Sequence, residues 1–236
     1  MGRQKHIVHG LVEFDITRSR ETLRNHNQVM DENLSFTAFF LNCLGKAVDT
    51  DRHIHAYRDW RNRLILFDEL DVNMLFEVEI NGQKMIRPHI LRGVNRMNTR
   101  KIQTEIDAFK TGHMESGETK FIDWFVRLPG FIRRLFFTVL FKNPEMIKNY
   151  YGTVIVSSIS MFGSGSGWAI PVPNHTLQIT LGGVGEKPGV INHRVEPRTM
   201  MSITVSFDHD IVDGAPMARF IQRLKKLVEM GYVDEG

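Results

Sequence analysis

Cysteine is nearly absent: Cys43 stands alone among 236 residues, so no internal disulfide can staple the fold. Its surroundings, "TAFFLNCLGKAV" (37–48), are apolar, and a buried, inert thiol is expected there. That usage predicts a reducing, cytoplasmic setting. Long hydrophobic runs are missing too. No segment approaches the ~18 uninterrupted apolar residues of a membrane span, and the opening "MGRQKHIVHG" has no apolar stretch of signal-peptide length. The prediction is a chain that is neither secreted nor membrane-spanning. Charge of one sign is scarce, since 30 Lys and Arg face 27 Asp and Glu for a formal +3. Without an arginine-rich block or interleaved aromatics, that balance argues against nucleic acid as a partner. Internal repeats, long low-complexity tracts and clear linkers are also lacking, which predicts a single domain over 1–236.

What is present is a composition of 42% hydrophobic and 24% charged residues, enough to bury a substantial core. "VEFDITRSRETLRNHNQ" (12–28) reads as a strand running into a helix, with Asp15 or Thr17 as N-cap. "SFTAFFLNCLGKAVDTD" (35–51) has the apolar density of a buried helix capped by Ser35. Extended segments over 62–91 flank Asn81-Gly82, a hairpin turn signal, and 98–112 is helix-like. Residues 121–152 break at Pro129-Gly130 and Asn143-Pro144, predicting two or three short helices. From Lys120 to Lys148 six Lys and Arg face two Asp and Glu, 6 − 2 = +4. Such a segment fits a membrane surface or an anionic ligand; the expectation adopted is an amphipathic element packed on the core or on a neighbouring subunit.

Strands are predicted at 153–162, 175–185 and 198–210, with a glycine-serine loop at 163–173. The loop satisfies neither G-x-S-x-G nor G-x-G-x-x-G. His53 and His55 lack a third ligand, so no metal site is expected. In "MMSITVSFDH" Met201, Ile203, Val205 and Phe207 alternate with Ser202, Thr204, Ser206 and Asp208. Continued alternation places His209 on the Met201 to Phe207 side, so its imidazole is expected to face the buried side at the strand's end. Asp213 then caps the final helix (214–230), whose first turn holds Pro216. Its apolar stripe is Ala215, Ala218, Ile221 and Leu224 with Phe220, Leu227 and Val228. On these residues alone, His209 and Asp213 are either a strand-end histidine and a cap, or a catalytic pair.

The terminal "SFDHDIVDGAPMARFIQRLKKLVE" carries H-x-x-x-D-G as His209, Asp213 and Gly214. It resembles the catalytic domain of the 2-oxo acid dehydrogenase dihydrolipoamide acyltransferases, a family of the chloramphenicol acetyltransferase-like superfamily. "EFDITRSRETLR", "SFTAFFLNCLGKAV" and "VSSISMFGSGSGWAIPVPNHTLQITLGGV" match further family segments in order. The resemblance spans most of 9–230 and thins over 113–150, where an amphipathic helical elaboration stands.

The resemblance implies an α/β fold, a two-layer sandwich with a mixed central sheet and helices on one face. It implies coenzyme A-dependent acyl transfer from a thioester to a thiol, hydroxyl or amine, with acyl-CoA as substrate and a lipoyl group on another chain as a further carrier. His209 would be the general base and a strand hydroxyl the oxyanion donor, Ser157 by position with Ser158 as the competing choice. Asp213 would fix the turn through an arginine, with Arg18, Arg20 and Arg24 all open. A homotrimer with active sites between subunits is implied as well. No residue is assigned to hold coenzyme A. Family members usually carry a basic residue after the histidine, whereas Asp210 stands here. The start near Met1 predicts a stand-alone domain without a lipoyl domain, and the polar "EMGYVDEG" predicts a free trimer rather than a larger cage. The alternative of another class is a non-catalytic assembly or binding subunit of a dehydrogenase-type complex.

Overall fold

The computed structural model describes residues 5–80, 83–111, 125, 128–159 and 165–231, with the side chains of 79, 80, 83, 84 and 141 left aside. Its strands are β1 (Ile7–Asp15), β2 (Tyr57–Arg58), β3 (Leu64–Ile65), β4 (Val72–Ile80), β5 (Gln83–Leu91), β6 (Val154–Ser158), β7 (Leu177–Ile191) and β8 (Arg194–Asp208). The helices are α1 (Thr17–Met30), α2 (Phe36–Asp49), α3 (Thr99–Lys110), α4 (Gly130–Lys142), α5 (Pro144–Tyr151) and α6 (Gly214–Met230). Six strands form one sheet in the order β1-β8-β7-β6-β4-β5, parallel at β4–β6 and β6–β7 and antiparallel elsewhere. The mixed sheet is the expected one. The turn predicted at Asn81-Gly82 lies outside the described residues, although the strands on either side of it pair as a hairpin.

Local chemistry explains the boundaries. The Ser35 hydroxyl accepts from the Ala38 N–H at 3.2 Å and starts α2 as predicted. At α1 the N-cap position is Ile16, and Asp15 one residue earlier accepts from both the N–H and hydroxyl of Thr17. Asn143 separates α4 from α5 and accepts from the N–H groups of Glu145 and Met146, so the Asn-Pro break is also a cap.

Helices α1, α2, α3 and α6 cover one face of the sheet. Phe39, Phe40, Leu41 and Leu44 of α2 are fully buried against Phe14, Ile179, Val205 and Phe207 of the strands. On α6 the buried residues are Phe220, Leu224 and Val228, with Met217, Ile221 and Leu227 partly buried. Ala215 and Ala218 are exposed, which corrects the predicted stripe by rotating it toward Met217. Phe220 meets Phe207 edge-on, 6.0 Å between centroids; a buried phenyl of this kind is worth about 3–5 kcal/mol relative to alanine.

Two features go beyond the sequence reading. β7 and β8 run on past their predicted ends, pairing from Glu186↔Thr199 to Ile191↔Arg194. Asn192 and His193, both at positive φ (49° and 65°), close this arm as a type I′ turn. Pro188 and Gly189 sit in this paired arm although both residue types are disfavoured in strands.

The second feature lies at Gly182-Gly183, where β7 shifts register against β8. The loop from Gly165 to Gly167 crosses there, and Gly183 N–H donates to Gly167 O at 2.8 Å. A Cβ on Gly182 or Gly183 would overlap the carbonyl oxygens of Gly167 and Gly165 respectively. The two glycines are therefore what lets the loop lie against the strand.

Candidate active site

The sheet face opposite the helices is polar. By strand parity it carries Ile7, His9 and Leu11 of β1, Ser202, Thr204, Ser206 and Asp208 of β8, Gln178 and Thr180 of β7, and Ile155 and Ser157 of β6. Alternation in β8 predicts burial of the Met201 to Phe207 side. Instead every residue from Met201 to Asp208 is buried, because β8 is central and the loop from Gly165 roofs its second face. Trp168 pins that loop by donating its indole N–H to Val12 O at 3.1 Å.

Ser157 belongs to this polar face, with its hydroxyl 3.1 Å from Thr180 Oγ1. Ser158 points the other way, in register with core residue Leu181 and on the side of Val154 and Val156. His9 Nδ1 lies 2.8 Å from Ser206 Oγ. Four buried polar atoms on the same side, Thr176 Oγ1, Gln178 Oε1, Ser202 Oγ and Thr204 Oγ1, have no hydrogen-bond partner among the described residues. Such groups are costly to bury unpaired and suit a polar ligand or solvent. The sequence held a signal for them, the period-2 Ser/Thr run of β8 matched by Gln178 and Thr180.

His209 lies just beyond β8, in a turn where the Ile211 and Val212 N–H groups both donate to Asp208 O at 3.0 Å. Its side chain is exposed, a correction to the expectation that it faces the buried side. The ladder ends at Asp208, so alternation no longer sets its direction. The turn is gripped from two other segments. His209 N–H donates to His6 O at 2.7 Å, Lys5 Nζ donates to Asp208 Oδ2 at 2.9 Å, and Arg58 donates to Asp210 O at 3.0 Å.

Asp210 makes a 2.8 Å contact with His6 Nδ1 and lies 3.9 Å from the Arg58 guanidinium. The hydrogen bond to His6, joined by the cation on Arg58, holds the Asp210 carboxyl below its usual range. The same bond raises His6 above its ordinary value. Asp210 thus reverses a charge in sequence but gathers two basic groups around the histidine turn in space.

Asp213 occupies the N-cap position of α6 with extended backbone, yet its side chain makes no capping bond. The structure brings none of Arg18, Arg20 and Arg24 to it; all three are exposed. The backbone of Arg18 and Ser19 packs at Gly231, the far end of α6, about 25 Å from Asp213 at ~1.5 Å per helical residue. Among the described residues no group of three metal-ligating side chains gathers.

His209 and Ser157 do not meet within one chain. Ser157 is level with Thr180 and Thr204, five residues short of His209 along β8 and two strands away. At ~3.3 Å per residue and ~4.8 Å per strand they stand roughly 20 Å apart, toward opposite ends of the sheet.

Comparison with known proteins finds a family match over the C-terminal part of the chain. Residues 143–232 match the 2-oxoacid dehydrogenases acyltransferase catalytic domain. That acyltransferase match takes in α5, β6, β7, β8 and α6, and with them Ser157, His209 and Asp213. The probable dihydrolipoyllysine-residue succinyltransferase component of the Schizosaccharomyces pombe 2-oxoglutarate dehydrogenase complex is 36% identical over 78 residues, 33% of this chain and 17% of that protein. The dihydrolipoyllysine-residue acetyltransferase component of the Zymomonas mobilis pyruvate dehydrogenase complex is also 36% identical over 78 residues, 33% of this chain and 18% of that one. The chain thus spans less than a fifth of the length of these two relatives.

Solved structures share the fold over nearly the whole chain. A probable dihydrolipoamide acetyltransferase from Listeria monocytogenes superposes with a TM-score of 0.71 at 17% identity, covering 99% of this chain and 88% of that one. Chloramphenicol acetyltransferase does so at 0.55 and 12% identity, covering 95% and 89%. The predicted two-layer α/β sandwich is the fold observed.

Proposed function

We propose that the protein is a coenzyme A-dependent acyltransferase that passes an acyl group between a thioester and a thiol, hydroxyl or amine acceptor. The observation that carries this reading is the coincidence of the acyltransferase match with the segments bearing Ser157 and His209. His209 acts as general base, removing the proton from the attacking thiol as sulfur adds to the acyl carbonyl. The carbonyl π pair moves to oxygen, and the tetrahedral intermediate collapses with expulsion of the other thiolate, which takes the proton back from the imidazolium. Acyl and thiol exchange without an oxidant or a metal in the balance. Exposure of His209 in a braced turn supports this role, since the imidazole is reachable while its backbone is fixed by His6.

The separation of roughly 20 Å between His209 and Ser157 supports a site completed by a second copy, with Ser157 donating to the oxyanion formed beside the neighbour's His209. A homotrimer is the assembly proposed. Coenzyme A enters as acyl-CoA substrate, and a lipoyl group on another chain is the proposed physiological thiol. A reducing, cytoplasmic location is proposed from the cysteine usage, since Cys43 stands alone and can form no internal disulfide.

Ser157→Ala is expected to lower kcat by about 10²–10³-fold, the loss that follows removal of one oxyanion donor, while Ser158→Ala changes it less than about tenfold. Steady-state release of coenzyme A from acyl-CoA with dihydrolipoamide as acceptor reads both. The reverse order would transfer the role to Ser158.

The non-catalytic alternative of an assembly subunit predicts no acyl-CoA turnover by the unaltered chain. The acyltransferase match across the segments that bear Ser157 and His209 favours the enzyme.

A further inference from the structure

Helix α4 carries an exposed ridge that the proposed chemistry does not use. Phe131, Leu135 and Val139, spaced four residues apart on one face, are 72%, 65% and 49% exposed. Arg134, Thr138 and Lys142 are exposed beside them, so that the six side chains fall within about 140° of arc at ~100° per residue. Ile132 and Phe136 point inward by comparison, with Phe136 against Tyr150 at 6.0 Å, so the outer ridge is not a packing face turned out by accident. Of the two expected packings, on the core or on a neighbouring subunit, this ridge does not make the first within one chain.

The ridge continues onto the β2–β3 turn. Trp60, 67% exposed, lines a groove of about 450 Å³ together with Val139 and Lys142. The Arg61 guanidinium stacks 4.5 Å over its indole. Basic side chains outnumber acidic ones in these segments, with Lys148 and Arg58 facing Glu69 and Asp210 outside them. Residues 130–148 hold four Lys and Arg against one Glu, 4 − 1 = +3, and 58–63 hold three Arg against one Asp, 3 − 1 = +2. With a formal total of +3, the rest of the chain sums to +3 − 5 = −2. Among the described residues neither Arg134 nor Lys142 has an acidic partner.

We propose that this ridge docks the protein on an anionic phospholipid bilayer, with α4 lying in the headgroup layer and Trp60 at its margin. Large apolar side chains interleaved with Arg and Lys on one exposed helical face, beside a tryptophan, are what an interfacial helix presents to anionic lipid. No helix among the described residues is long and apolar enough to cross a membrane, so the attachment is peripheral. The ridge also lies outside residues 143–232, the acyltransferase match, so the catalytic segments do not require it.

The test is co-sedimentation of the full chain with vesicles of phosphatidylcholine alone and of equal parts phosphatidylcholine and phosphatidylglycerol, at low and high salt. Binding is expected only to the anionic vesicles, weakening as salt rises. Arg134→Glu with Lys142→Glu, and separately Phe131→Ser with Leu135→Ser, are each expected to lower the partition coefficient by about tenfold or more. Thermal melts and acyl-CoA turnover unchanged in both variants show that the fold is intact. Failure of the unaltered chain to prefer anionic vesicles overturns the proposal, as does undiminished binding by the charge-reversed variant. A fall in oligomer mass for Phe131→Ser with Leu135→Ser, without vesicle binding by the unaltered chain, would give the ridge to a second copy. Binding to soluble polyglutamate but not to vesicles would give it to an acidic protein. Either result also overturns the proposal.

Discussion

His209→Ala is expected to lower coenzyme A release from acyl-CoA, with dihydrolipoamide as acceptor, by about 10³-fold, within the range attributed to a positioned general base. Stability should scarcely move. The side chain is exposed and makes no hydrogen bond among the described residues, and surface substitutions of this kind fall within about ±0.5 kcal/mol. What fixes the turn is the backbone: His209 N–H to His6 O at 2.7 Å, which alanine keeps. Unchanged melting and oligomer mass with near-total loss of turnover is therefore the signature of a base rather than a strut. Equal turnover in the variant would remove His209 from the chemistry, and equal loss of activity and folding would make its role structural.

The second large effect is on stability in acid. His55 and His175 are buried and both are pushed down to about 4, in each case mainly by burial. His175 contacts Tyr151 O through Nε2 at 3.1 Å and the Asn174 side chain through Nδ1 at 2.6 Å. The atom facing Nδ1 is Asn174 Oδ1, and the Tyr151 carbonyl accepts from the ring at Nε2. Both folded values lie below the 6.5 of an unperturbed histidine, so between pH 6.5 and about 4 the unfolded chain binds more protons than the folded one. The stability from keeping these rings neutral is complete above pH 6.5 and is lost as pH falls through that window. At ~1.4 kcal/mol per unit, two to three units amount to on the order of 3 kcal/mol for each ring. Together that is a large part of the 5–15 kcal/mol typical of a domain.

The melting temperature should accordingly drop steeply between pH 6.5 and 4.5. His175→Gln, which keeps hydrogen-bonding capacity without the titration, should flatten the slope even if it lowers the plateau. The carboxylates of Asp15, Asp59 and Asp210, all held low, lose their contribution only as pH falls toward and below ordinary carboxylate values, so the window above pH 4.5 isolates the histidines. His6 works in the opposite sense. Its raised value gives a contribution present below pH 6.5 and lost above it. Full exposure keeps that contribution weak. A melting temperature level from pH 7 to 4.5 would contradict the account.

The fold was legible where local signals agreed. The 3.6-residue spacing of Phe220, Leu224 and Val228, the Ser35 cap and the Asn143-Pro144 break each placed a helix end or face close to the observed one. The site was legible in its members more than in its arrangement. Strand alternation sets Ser157 and Ser158 on opposite sides of the sheet. It failed at His209 because the strand stops one residue earlier. It also failed for Ser202, Thr204 and Ser206, whose burial depends on β1 and β7 flanking them and on a loop crossing above, neither of which is a local property. Partnering of Asp210 by His6 and Arg58 joins residues 204 and 152 positions apart, beyond the reach of any spacing rule. The arm beyond Gly185 was missed because Pro188 and Gly189 disfavour strand, whereas the paired ladder and the Asn192-His193 turn override them.

The most direct measurement is activity in mixed oligomers of His209→Ala and Ser157→Ala chains, each nearly inactive alone, formed by coexpression. If one copy supplies the base and its neighbour the oxyanion donor, random mixing into trimers rebuilds intact sites at about a quarter of the interfaces, and coenzyme A release should recover to about a quarter of the unaltered rate. Mixed oligomers of the same mass that stay as inactive as either variant alone would contradict a site shared between copies by His209 and Ser157.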